Sequence, residues 1–116
     1  MHLDNVYPIV GGNMEAKFIS EKDCIRVEIS GEIDEYGAKT VRSAIDDVIE
    51  NTPALRSMIF DMKGVTFIDS TGLGFVLGRY KKLKENHAEL LLANVSGQVD
   101  KVFRTSGVYR YVPVVE

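Results

Sequence analysis

The chain has 116 residues, of which 45% are hydrophobic and 27% are charged, and this composition predicts one folded domain rather than a disordered segment. Its net charge of −3 argues against binding to nucleic acid, for which a basic patch would be expected. No apolar run approaches the roughly 20 residues that span a bilayer, and the N-terminus lacks the pattern of a secretory signal, so we expect a cytoplasmic protein without membrane contact.

The first residues differ in character from the rest of the chain. The run Gly11-Gly12-Asn13 is typical of a flexible junction. We therefore predict a flexible leader over residues 1–13 and a single folded domain over residues 14–116.

Two alternating segments, residues 15–20 and 24–30, are separated by a short polar stretch and predict a β-hairpin. The chain's one cysteine, Cys24, lies in the second segment and has no histidine near it in sequence, which favours a strand residue over a nucleophile. The residues that follow, 31–35, predict a loop.

Helices and strands then alternate to the end of the chain. The predicted elements are a helix over residues 36–50, a strand at 58–60, a helix beginning near Ser70, a strand at 90–93, a short helix capped by Ser96 and ended by Gly107, and a strand at 111–115. This order predicts an α/β fold, a sheet with helices packed on it.

The most informative segment is the run Phe67-Ile68-Asp69-Ser70-Thr71-Gly72-Leu73-Gly74. It places the Ser70 hydroxyl between an apolar strand and the first turn of an amphipathic helix. A helix N-terminus has unpaired N–H groups and a positive dipole end, which favour a phosphate. The alternative from the residues alone is that Asp69 or Ser70 simply caps the helix.

Nucleotide and metal sites are not supported. Gly72 and Gly74 follow a strand, but the next glycine, Gly78, does not complete a dinucleotide-binding motif, and no phosphate-binding loop of the GxxxxGK[ST] type exists. His2 and His87 have no neighbours at ligand spacing. We therefore predict neither a cofactor nor a metal.

An enzyme is not predicted either. Asp34 and Asp69 could be imagined as a pair of catalytic carboxylates, yet no nucleophile, oxyanion donor or substrate pocket accompanies them. A small hydrolase that uses Ser70 as its nucleophile is the weakest alternative, because the chain lacks a G-x-S-x-G motif and an evident base.

Three blocks of sequence are similar to one known family. They are Gly31-Glu32-Ile33-Asp34, the long run from Phe67 to Gly74 continued by Val76-Leu77-Gly78-Arg79-Tyr80-Lys81, and Ser106-Gly107. From Cys24 onward the chain resembles the anti-sigma factor antagonists of bacteria, which are single STAS domains, and is most like the sporulation antagonists of spore-forming bacteria. The second block is long and is the most specific of the three for this family.

This resemblance implies a fold, a function and partners. The fold would be a mixed β-sheet with helices packed on it. The unmodified protein would bind an anti-sigma factor that is also a serine kinase, and so release the sigma factor. Phosphorylation of Ser70 by that kinase would end the binding, and a serine phosphatase would restore it.

The partner surface is expected to extend from Ser70 along one side of its helix and across loops that follow strands. Ser70, Gly74 and Gly78 are four residues apart and share a helix face with almost no side chains. The alternative is that these glycines pack against the protein's own sheet. The predicted partner-binding residues are Gly31, Glu32, Ile33, Asp34, Asp69, Ser70, Thr71, Gly72, Gly74, Gly78, Asn94 and Ser96.

A second function remains open within the same family. The chain could be the STAS module of another signalling scaffold or the detached cytoplasmic domain of an anion transporter. The lack of a membrane-spanning segment and of a second domain argues against it.

Overall fold

The computed structural model describes residues 8–116, and these form a mixed β-sheet, three α-helices and a short 3-10 helix. The elements are β1 (Ile9–Gly11), β2 (Met14–Glu21), β3 (Cys24–Ile33), α1 (Glu35–Glu50), β4 (Ser57–Ile68), α2 (Ser70–Glu85), β5 (Glu89–Ala93), α3 (Gly97–Ser106) and the 3-10 helix (Val108–Arg110). The strands lie in the order β1-β2-β3-β4-β5. They are antiparallel from β1 to β3 and parallel from β3 to β5, which confirms the predicted mixed sheet.

The core lies between the sheet and the helices α1 and α2. These helices pack against each other, and they also contact the sheet, α1 at β1 and β2 and α2 at β4 and β5. In β2, Ala16 and Phe18 are buried while Lys17 and Ile19 are exposed. This alternation shows that one face of the strand meets the core and the other meets solvent.

The predicted loop at residues 31–35 is wrong. β3 continues to Ile33 and α1 begins at Glu35, so that only Asp34 lies between them. The strand passes Gly31 with φ 88° and with irregular pairing to β4 on either side. A glycine in a strand often marks such a bulge, because glycine adopts positive φ without a steric penalty, and the sequence pattern does not distinguish a bulge from a loop.

The predicted leader needs a correction where the structure describes it. Residues 9–11 form β1, which pairs with β2, and Gly12 and Asn13 form the two-residue connection of a hairpin rather than a flexible junction. Gly12 has φ 54°, a conformation that suits such a turn. The first seven residues of the predicted leader lie outside the described residues.

The predicted last strand, residues 111–115, is also wrong. A 3-10 helix precedes this segment, and its pairing with β5 is limited to one parallel bridge between Leu92 and Val114. The Leu92 N–H donates to the Pro113 carbonyl at 2.8 Å, and the Val115 N–H donates to the Leu92 carbonyl at 2.8 Å. Pro113 has no N–H of its own, which limits a longer ladder.

Candidate functional site

Two helices begin side by side at one edge of the sheet. The last residues of two neighbouring parallel strands, Ile33 and Ile68, are paired in register. Asp34 and Asp69 follow them directly, and α1 and α2 begin at the next residue in each case. The two helix N-termini are therefore neighbours, as expected where parallel strands end.

An aspartate caps each of these helices. Asp34 Oδ1 accepts a hydrogen bond from the Gly37 N–H at 2.9 Å, and Asp69 Oδ1 accepts one from the Gly72 N–H at 3.0 Å. Both aspartates have extended backbone, which is typical of an N-cap residue. Of the two capping residues that the sequence allowed for α2, Asp69 is thus the one used.

Ser70 is the first residue of α2, and its side chain is exposed. Its hydroxyl makes no hydrogen bond to any residue from 8 to 116, because the carboxylate of Asp69 already satisfies the capping position. The first turn of α2 contains no acidic residue, so no side chain of that turn offsets the positive end of the helix dipole. A phosphate on Ser70 would add negative charge where the backbone favours it.

Two exposed aromatic side chains lie in the segments where α1 and α2 begin, and neither was among the predicted site residues. Tyr36, in the first turn of α1, is 79% exposed, and Phe67, three residues before Ser70, is 41% exposed. Strand alternation could have predicted the exposure of Phe67, because neighbouring strand residues point to opposite faces and Ile68 next to it is buried. Exposed aromatic side chains often anchor protein interfaces, so both belong to the candidate site.

Most of the predicted partner-binding residues are accessible, and three are buried or closely packed within the domain. Ile33 is fully buried and cannot contact a partner. A Cβ on Gly72 would lie 2.3 Å from Ile68 Cγ1, and a Cβ on Gly31 would lie 1.9 Å from the Asn13 carbonyl oxygen. Gly31 and Gly72 therefore serve close packing within the domain. The remaining predicted residues are exposed or half-buried, and they are Glu32, Asp34, Asp69, Ser70, Thr71, Gly74, Gly78, Asn94 and Ser96.

Gly74 and Gly78 behave differently from Gly72. A Cβ at either position would have no atom within 4 Å, so these glycines do not pack against the protein's own sheet. Glycine in a helix interior costs about 1 kcal/mol relative to alanine. No packing of the free domain offsets that cost at these two positions.

The two open glycines line a groove between α1 and α2 with a volume of about 550 Å³. Glu35, Lys39 and Arg42 line it from α1, and Arg79 lines it from α2. We call this feature the α1/α2 groove. Its lining includes Thr71, the residue after Ser70.

Arg79 is the buried cation of the α1/α2 groove. Its Nε lies 2.8 Å from Asp46 Oδ1, although the N–H is not aligned for a hydrogen bond. Burial lowers the pKa of the Arg79 guanidinium, and the Asp46 carboxylate opposes that change. Arginine nevertheless stays protonated, so the groove keeps this positive charge.

A family model for the STAS domain matches residues 16–116. The chain belongs to the STAS domain family. The resemblance expected from the sequence blocks is therefore confirmed.

This STAS domain is similar to several anti-sigma factor antagonists. It is 27% identical over 104 residues to the anti-sigma F factor antagonist of Paenibacillus polymyxa, which covers 90% of this chain and 88% of the relative. It is 32% identical over 96 residues to the anti-sigma-B factor antagonist of Bacillus subtilis, with 83% and 85% covered. Two solved structures of SpoIIAA are also similar, one of the unphosphorylated anti-sigma factor antagonist and one of the phosphorylated Bacillus protein. The unphosphorylated form has a TM-score of 0.75 and 26% sequence identity, and the match covers 87% of this chain and 88% of that one. The phosphorylated form has a TM-score of 0.68 and 25% sequence identity, and the match covers 87% of this chain and 91% of that one.

Within this STAS domain, Asn94 is only partly available to a partner. Its side-chain amide donates to Asp61 Oδ1 at 3.0 Å, and Arg26 Nη2 lies 2.9 Å from Asp61 Oδ2. Burial alone would raise the pKa of Asp61. The hydrogen bonds from Asn94 and the Lys63 N–H, together with Arg26, outweigh burial and lower that pKa.

Gln98 of α3 supports the strand that leads to Asp69, a role that the sequence did not reveal. Its side-chain oxygen accepts from the Ile68 N–H at 3.1 Å, and its side-chain nitrogen donates to the Ile68 carbonyl at 2.9 Å. The amide thus satisfies both backbone groups of the residue before the cap.

No helix in the part of the chain that the structure describes is both long and apolar enough to cross a membrane.

Proposed function

We propose that the protein is an anti-sigma factor antagonist controlled by phosphorylation of Ser70. The unphosphorylated form binds an anti-sigma factor that is also a serine kinase, and this binding releases the sigma factor. Phosphorylation by the kinase ends the binding, and a serine phosphatase restores it. The similarity to anti-sigma factor antagonists supports this proposal, as does the similarity to SpoIIAA in both its unphosphorylated and phosphorylated forms.

One observation carries the assignment of Ser70. Its side chain is exposed at the start of α2 and makes no hydrogen bond to residues 8–116, because Asp69 performs the capping that Ser70 could have performed. A kinase can therefore reach the oxygen without first breaking a hydrogen bond to this part of the chain. Thr71 is also exposed, and Ser70 is preferred because it directly follows the aspartate of the matched sequence block.

The physical effect of the phosphate differs between the fold and the complex. It adds about −1.5 to −2 charges at pH 7. The helix N-terminus tolerates that charge, so the fold stays intact. The carboxylates of Asp34 and Asp69 already lie at this edge, and a partner would have to bury or avoid the added charge at a cost of several kcal/mol.

The test combines labelling with binding. The protein is mixed with anti-sigma factor kinases of its source organism and ATP, and the modified residue is mapped by mass spectrometry. We expect one phosphate on Ser70, no labelling of Ser70→Ala, and binding of Ser70→Ala to the kinase. Ser20→Ala is the matched control, because Ser20 is an exposed serine near the far end of β2 and its loss should leave labelling unchanged.

Two results would contradict the proposal. Strong phosphorylation of Thr71 in the Ser70→Ala variant would move the acceptor to the neighbouring residue. A parent protein that neither binds nor is labelled by any of these kinases would reject the antagonist function itself and favour another STAS signalling role.

A further inference from the structure

The charge of the α1/α2 groove is opposite to that of the whole molecule. The chain carries a net charge of −3, yet three cationic side chains and a single acidic one, Glu35, are among the residues that line this groove. Lys39 and Arg42 are exposed, and neither forms an ion pair with any residue from 8 to 116. Arg79 adds a buried charge that Asp46 balances.

The groove also has room for a partner's main chain. Gly74 and Gly78 leave open space where side chains would stand, and both line the groove together with the cationic residues of α1 and with Arg79. A segment without bulky side chains on one side could therefore lie directly on the helix backbone. Its charged groups would then reach Lys39 and Arg42.

The charge of the residues around the groove changes from positive to negative toward the start of α2. Four acidic residues lie where α1 and α2 begin, namely Glu32, Asp34, Glu35 and Asp69, and Glu35 also lines the groove. The cations Lys39 and Arg42 lie further along α1 from these helix starts. An acidic segment is therefore attracted to Lys39 and Arg42 and repelled from the helix starts.

We propose that the α1/α2 groove binds an acidic segment of the anti-sigma factor, with its main chain against Gly74 and Gly78 and its carboxylates facing Lys39 and Arg42. This inference rests on the proposed function and specifies the chemistry of the partner. Complementary charges at an interface raise the association rate and suppress wrong partners. The attraction between exposed charges falls as salt rises.

Charge reversal tests the proposal. The affinity of the phosphorylating anti-sigma factor is measured for the parent, Lys39→Glu, Arg42→Glu and the control Arg56→Glu, at low and at physiological salt. Arg56 is exposed and precedes β4 at the opposite end of the sheet. We expect at least tenfold weaker binding for both groove variants and less than a twofold change for the control. The loss should be larger at low salt, and thermal melting should be unchanged.

Rescue gives a second readout. Acidic residues of the anti-sigma factor are changed to lysine one at a time, and at least one such variant should bind Arg42→Glu more tightly than it binds the parent. Parent-like binding of both groove variants, with Ser70 still phosphorylated, would overturn the groove proposal and leave the antagonist function standing. Absence of binding by the parent would reject both.

A small anion is the competing occupant. ATP and inorganic phosphate are therefore titrated into the free protein by calorimetry. Saturable binding that disappears in Arg42→Glu would assign the groove to that anion and overturn its assignment to an acidic protein segment. Absence of such binding, together with the tenfold losses above, supports the proposal.

Discussion

The first turns of α1 and α2 share one construction and differ in one charge. Each helix follows an Ile-Asp pair at the end of a parallel strand, and each aspartate accepts from the N–H of a glycine three residues later. The first turn of α1 contains Glu35, whereas that of α2 contains no acidic residue and begins with Ser70. Both helix ends thus have the carboxylate of a capping aspartate, and where α1 adds a permanent second charge at Glu35, α2 has a serine that a kinase can charge.

The shared part of this construction depends on glycine at the third helical position. A Cβ on Gly37 would lie 2.5 Å from the Gly11 carbonyl oxygen, and a Cβ on Gly72 would lie 2.3 Å from Ile68 Cγ1. Both distances are too short for a side chain. The two helix starts are therefore pressed closely against the sheet, and their difference is confined to exposed side chains.

The largest expected effect comes from breaking this shared packing in α2. We expect Gly72→Ala to lower the free energy of unfolding by about 2 to 3 kcal/mol, because the added methyl group must displace Ile68. Gly74→Leu is the matched variant, since open space surrounds Gly74, and it should melt nearly as the parent does but lose binding to the anti-sigma factor. Chemical denaturation and a binding titration measure the two effects. Equal destabilisation by both substitutions would contradict the assignment of Gly72 to packing within the domain and of Gly74 to partner binding.

The next effect comes from giving α2 the charge that α1 already has. Ser70→Asp should melt within a few degrees of the parent, because the charge lies at a favourable helix end. Its affinity for the anti-sigma factor should fall at least tenfold, or by about 1.4 kcal/mol. Ser20→Asp adds the same charge at the far end of β2 and should bind normally. A large loss of stability with preserved binding would indicate a structural serine.

Removing each cap in turn tests whether the two starts are equivalent. We expect Asp34→Ala and Asp69→Ala each to cost about 1 kcal/mol of stability, because each leaves one helical N–H without its side-chain acceptor. Asparagine caps as well as aspartate does, so Asp34→Asn and Asp69→Asn should be close to the parent in unfolding experiments. If the asparagine variants are as unstable as the alanine variants, charge rather than capping holds these turns.

The smallest effect is seen only in acid and concerns a carboxylate away from both helix starts. The pKa of Asp61 lies below its ordinary value of about 3.9. Ionised Asp61 therefore adds stability that is complete above this value and is lost as pH falls through the lowered pKa. We expect the parent's unfolding free energy to decline below about pH 4, and Asp61→Asn to decline less steeply. An unchanged slope would assign the acid sensitivity to other carboxylates.

The sequence predicted features that depend on neighbours along the chain. The start of α2 at Ser70 follows from an apolar strand, an aspartate and a helical pattern in succession, and Gly107 has the positive φ, 81°, expected after α3. β1 was missed because a Gly-Gly-Asn run is compatible with either a flexible junction or a hairpin turn. Only pairing with β2 distinguishes the two.

The α1/α2 groove could not be predicted, because its parts are far apart in sequence. Lys39 and Arg42 lie on one helix and the open glycines on another, so their meeting depends on how the helices pack. Sequence spacing placed Gly74 and Gly78 on one face of α2 but could not show whether that face meets the sheet or solvent. Likewise, the exposure of Tyr36 depends on where α1 begins, one residue earlier than predicted.

The paired hydrogen bonds between Gln98 and Ile68 have a consequence for self-association. β5 pairs with β4 only as far as Asp61 and Ala93, so within the described residues, 8–116, no strand neighbours residues 62–68 on that side. Such an open edge is a template on which another chain can add a strand. α3 lies against this stretch and its glutamine occupies both backbone groups of Ile68. The protein can therefore display Ser70 two residues after Ile68 while the backbone of Ile68 is already paired within the domain and is not offered for intermolecular sheet formation.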